Sequence, residues 1–130
     1  MRYLALFFCL TIISCYKTKQ KDCSNFKTGT FKYENPYYKD WIIIRNDSIQ
    51  IEYNTNDNSK IIGHIEWTSD CTYQFTYHQV DDTYTNSIIG TKLKVNIIES
   101  SNNSYKYQTY LNKLKDEYWI TKISDKKKLQ

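Results

Sequence analysis

His64 and Glu66 stand two residues apart in "KIIGHIEW". On a strand that spacing puts an imidazole and a carboxylate on the same face, where they could share a proton or start a metal site. His78, Asp81 and Asp82 repeat the residue types beside a turn. Both sets have an ordinary explanation. The wet face of a sheet gives the first spacing by default, and carboxylates at a loop mouth solvate the turn, with too few neighbouring ligands for a metal. No Ser, His and Asp fall into a nucleophile motif. The expectation is therefore no catalytic residue, no metal and no cofactor, and an enzyme only if a pocket gathers His64, His78 and acids within hydrogen-bond reach.

The elements around these residues read as strands. Apolar or aromatic residues alternate with polar ones in "FKTGTFKY", "DWIIIRN", "SIQIEYN", "KIIGHIEW", "CTYQFTYHQV", "GTKLKVNII", "SYKYQTYL" and "DEYWITKI". Between them lie short breakers such as "RND", "NTNDN", "TSD" and "ESSNN". Connections this short permit only antiparallel neighbours, and only "YLNKLKDEYW" competes as a helix. The pattern predicts an all-β domain, an eight-stranded antiparallel meander forming a small closed barrel or a strongly curved, lipocalin-like sheet. Eight strands enclose room for side chains or one small ligand. Trp41, Trp67 and Trp119, one in each of three strands, either line such a cavity or fill it. The stretches "ENPYYKD" and "YHQVDDTYTN" are expected to form tyrosine-rich rims, making Tyr37, Tyr38, Tyr77 and Tyr84 candidate ligand or partner contacts.

The N-terminus gives an address. Arg2 precedes an uncharged apolar run from Tyr3 to Ile13, too short to cross a bilayer, which takes about 20 residues, and suited to an export signal. The following Ile12-Ile13-Ser14-Cys15 resembles the lipobox of bacterial lipoproteins. The resemblance implies a lipid on the Cys15 thiol and cleavage after Ser14. Residues 1–14 then form the signal peptide, 15–22 a lipidated tether, 23–124 a single β domain and 125–130 a basic tail. The mature 116 residues carry 17 basic and 14 acidic side chains, with much of the excess in the tether and tail. Such a distribution argues against a nucleic-acid partner, which needs clustered cations on one face. The membrane is the expected partner, through the lipid anchor. The tether lacks the acidic patch that marks some lipoproteins for the cell surface, so the lipoprotein resemblance implies a place at the outer membrane, facing the periplasm.

In an oxidising compartment the two remaining cysteines, Cys23 and Cys71, are expected to pair as a disulfide. Two buried free thiols are the alternative, and a metal site lacks partners at ligand spacing. "DCSNFKTGTF", "RNDSIQIE" and "IEWTSDCTYQF" resemble the recurring blocks of a family of small Bacteroidota lipoproteins of unknown function. Members sometimes carry the name DNA topoisomerase IV. An exported domain of this size without an ATP-binding glycine loop cannot hold that machinery. Asp47-Ser48-Ile49 resembles the O-glycosylation pattern of the same bacteria, pointing to Ser48. Three functions follow as expectations: a non-catalytic envelope lipoprotein binding an unknown envelope protein, a lipocalin-like carrier of a small ligand, or an inhibitor of a hydrolase. The last calls for an acidic presenting loop, which the near-neutral domain does not supply.

Overall fold

Period-2 alternation makes strands of all eight expected segments. The computed structural model, which describes residues 22–81, 88–111 and 113–126, runs β1 (Gly29–Tyr33), β2 (Trp41–Arg45), β3 (Ile49–Asn54), β4 (Lys60–Ser69), β5 (Thr72–Val80), β6 (Lys92–Ser100), β7 (Ser104–Leu111) and β8 (Leu114–Ser124). Each strand pairs antiparallel with the next, and β1 pairs with β8, so the sheet closes as a barrel with no free edge. "YLNKLKDEYW" forms the β7–β8 hairpin, with Leu111 opposite Leu114 and Lys113 at φ 70° in its turn. The signal segment, Cys15, Asp82, Tyr84 and residues 127–130 lie outside the described residues.

Bulges supply the curvature. Register shifts fall at Thr30/Phe31, Ile62/Gly63, Trp67/Ser69 and Ile97/Glu99, each bending its strand. Gly63 does a second job: a Cβ there would sit 2.2 Å from the Phe75 ring, so only glycine lets that ring cross the interior.

Because every connection joins neighbours, the two ends of the barrel differ. One end carries the N-terminal segment and the β2–β3, β4–β5 and β6–β7 turns. A 3-10 turn at Ser24–Phe26 closes it, pinned by the Cys23–Cys71 disulfide, whose Cα atoms are 5.3 Å apart. Cys23, Phe26, Phe31, Ile43, Ile97, Tyr105 and Ile120 pack there as a core. The opposite end carries the β1–β2, β3–β4, β5–β6 and β7–β8 connections.

The facing of β3 reverses the usual rule that apolar residues go inside. Gln50 and Glu52 point into the barrel, and Ile51 and Tyr53 point out. Paired in register with Ile44 and Ile62, Ile51 contributes to an apolar stripe on the outer wall, where Ile44 is only 5 % exposed.

Candidate ligand-binding lumen

Burying a guanidinium demands partners for its charge and its donors. Arg45, the last residue of β2, is 0 % exposed at the closed end. Its Nε donates to Gln50 Oε1 at 2.8 Å, its Nη1 to the Phe26 carbonyl at 2.8 Å, and its Nη2 to the hydroxyls of Tyr73 and Tyr105 at 3.1 and 2.9 Å. The rings of Phe31, Tyr73 and Tyr105 surround it with centroids 5.0, 4.9 and 5.8 Å from the guanidinium carbon. Burial pulls its pKa down, but Tyr105, Tyr73 and Glu52 more than restore it, so the charge is kept. Among the described residues, tight packing here leaves one buried side-chain orphan, the indole N–H of Trp67.

The network continues upward through β3. Gln50 Nε2 donates to Glu52 Oε1 at 2.6 Å, and the Tyr33 hydroxyl of β1 donates to Glu52 Oε2 at 2.9 Å. Gln50 therefore stands between the buried cation and the buried anion. Glu52 keeps some accessible surface because it borders empty space, yet protein surrounds it. Burial raises its pKa, although Tyr33, Gln50 and Arg45 each favour the charged form.

Above Arg45 the barrel is hollow. An inner cavity of about 100 Å³ touches Arg45, Gln50, Glu52 and Tyr73. A cavity of about 230 Å³ follows toward the mouth, walled by Tyr33, Tyr38, Trp41, Glu52, Tyr77, Tyr107, Asp116 and Tyr118 among others. The two share Tyr33, Glu52, Ile61, Tyr77, Leu93 and Tyr107 on their walls. Burial and then the Glu52 charge push the Tyr77 pKa up to about 12 and also raise those of Tyr33 and Tyr107, so all three phenols stay protonated.

The expected contact residues divide. Trp41 lines the mouth cavity, and Tyr38 packs over the entrance against Tyr33 and Tyr118, each centroid 5.3 Å away. Tyr37 beside it is 92 % exposed. Tyr77, expected on an outer rim, lies inside, because alternation along β5 carries it into the lumen with Tyr73 and Phe75. Trp67 packs at the closed end against Tyr73. Trp119 is neither a cavity wall nor core: Tyr118 and Ile120 point inward, leaving Trp119 on the outer face opposite Lys106. Of the three tryptophans, Trp67 helps fill the closed end, Trp41 lines the mouth cavity and Trp119 lies outside. Ser48 is exposed in the β2–β3 turn, which the Asn46 side chain holds by accepting from the amides of Ser48 and Ile49.

His64 and His78 do meet, with ring centroids 5.4 Å apart, but on the exposed outer wall across the sheet from the lumen. Among the described residues no group of three His, Cys, Asp or Glu side chains is placed to hold a metal. Sequence reasoning missed Arg45, Gln50 and Glu52. A signal existed: "RNDSIQ" puts Arg and Gln at the two ends of a tight hairpin, where they are direct cross-strand neighbours on one face. No protein-family model, no curated protein and no solved structure matches the chain.

Proposed function

We propose that the chain is a non-catalytic lipoprotein of the bacterial outer membrane whose barrel carries a small ligand, taken in through the aromatic mouth. The observation that supports this most is the hollow half of the lumen, walled by rings, open at one end and plugged at the other. A cavity of about 230 Å³ is below the ordinary range for drug-sized ligands, roughly 300–1,000 Å³, and above the ~150 Å³ that accepts a benzene ring. A ligand held within this cavity alone is therefore small. With the tether leading into Cys23 at the plugged end, a lipid on Cys15 would hold the mouth away from the bilayer.

The test is native mass spectrometry of the full chain purified without denaturants, together with Trp41 fluorescence during titration with one-ring compounds. Ile61→Trp would fill the cavity from β4. Ligand quenching in the wild type that vanishes in this variant, with circular dichroism unchanged, supports the carrier. A second reading, the envelope interaction module, is favoured by the aromatic rim beside the mouth, where Tyr37 is 92 % exposed. Loss of a crosslinked envelope protein on changing Tyr37 to serine, with an unresponsive lumen, would replace the first reading by the second.

A further inference from the structure

If the lumen takes a small molecule, as proposed above, its walls also select the charge of that molecule. Two carboxylates, Glu52 and Asp116, line the mouth cavity, and among the described residues no lysine, arginine or histidine does. Arg45 lies deeper, and four of its five N–H donors are engaged with Gln50, the Phe26 carbonyl, Tyr73 and Tyr105. Glu52 is less fully used. Each of its oxygens accepts one hydrogen bond, from Gln50 or from Tyr33, while a carboxylate offers about four acceptor positions. About two remain on a wall of the cavity.

Aromatic rings make up most of the rest of that wall, with Ile61, Leu93, Thr109 and Leu111 between them. Tyr33, Tyr77, Tyr107, Tyr118 and Trp41 present rings around the space, and ring faces carry the negative end of the aromatic quadrupole. Neutral solutes gain from rings alone; a cation gains from rings and carboxylates together. An anion would meet both as repulsion. The Glu52 charge already acts on its neighbours in this sense, adding to burial in holding the phenols of Tyr33, Tyr77 and Tyr107 protonated.

We propose that the mouth cavity binds an organic ammonium ion, a primary amine on a body of about one ring, with Glu52 accepting its N–H donors and the tyrosine rings flanking the charge. Asp116, opposite Thr109 near the entrance, adds attraction at the mouth.

Calorimetric titration of the full chain with 2-phenylethylamine, 2-phenylethanol and phenylacetate tests it. These probes share a ring and differ in charge. The amine should bind at least about tenfold more tightly than the alcohol, and the acid most weakly. Glu52→Gln should bring the amine to the affinity of the alcohol, and Asp116→Asn should weaken it by about threefold. The second variant sits at the mouth, so it reports even if the first fails to fold. Equal binding of amine and alcohol would overturn the cation assignment while leaving the carrier standing. Tightest binding of phenylacetate would do the same. Binding of none of the three, with Ile61→Trp indistinguishable from wild type, would overturn both.

Discussion

At the scale of single residues, the interior is costly to maintain. A carboxylate whose folded pKa is raised above its ordinary value near 4.5 stays protonated in the fold after the unfolded chain has released its proton. Its contribution to stability is therefore greatest below that value and is lost as pH rises through the folded pKa. Tyr33, Arg45, Tyr73, Tyr77, Tyr105 and Tyr107 are titratable or charged groups on other strands that interact with Glu52. Urea midpoints of wild type and Glu52→Gln should coincide at acidic pH and separate at neutral pH, with the variant more stable. A wild type that gains on the variant with rising pH would contradict the burial argument. Keeping an anion where an amide is more stable is what a binding site does. Arg45→Ala should cost about 3–5 kcal/mol in the same measurement, because it strands Gln50, the Phe26 carbonyl and two tyrosine hydroxyls inside the plug.

At the scale of elements, the strands were legible and the sides they show were not. Alternation marks "KLKVNII" or "SYKYQTYL" as strand whichever face is buried. In β3, "IQIEYN", the same alternation suggests Ile49, Ile51 and Tyr53 inside, and the structure places Gln50 and Glu52 there instead. A pattern can fix the period without fixing the face. The decision comes from Arg45, which needs Gln50 opposite it, and from its neighbour Ile43, which belongs to the plug. Trp119 and Tyr77 were misplaced for the same reason, since large aromatics suit either surface of a strand. Two changes test the elements themselves. Gly63→Ala should destabilise by about 1–3 kcal/mol by driving a methyl into the Phe75 ring, and should shift the Phe75 ring resonances in NMR spectra. Cys23→Ser with Cys71→Ser should cost about 4 kcal/mol, the loop entropy of a 48-residue separation, measured as a lowered urea midpoint.

At the scale of the whole molecule, the order of strands places the N-terminal segment and the mouth at opposite ends. A lipid at Cys15 would tie the plugged end to the membrane by a tether of a few residues that includes Lys17, Lys19 and Lys21. Labelling cells with a palmitate analogue should tag the wild type and not Cys15→Ser. Tagging of both would place the anchor elsewhere.

Among the described residues the plug under Arg45 leaves the lumen one opening, so a ligand that entered by the mouth would leave by it. Arrival and departure then cross the same barrier. A rim side chain that never touches the bound molecule can only raise or lower that barrier, changing both rates in one proportion and leaving the equilibrium where it was. Tyr37, 92 % exposed beside the entrance, occupies such a position. Its replacement should slow or hasten exchange at constant affinity, so this barrel would set how long its cargo stays separately from how much it holds.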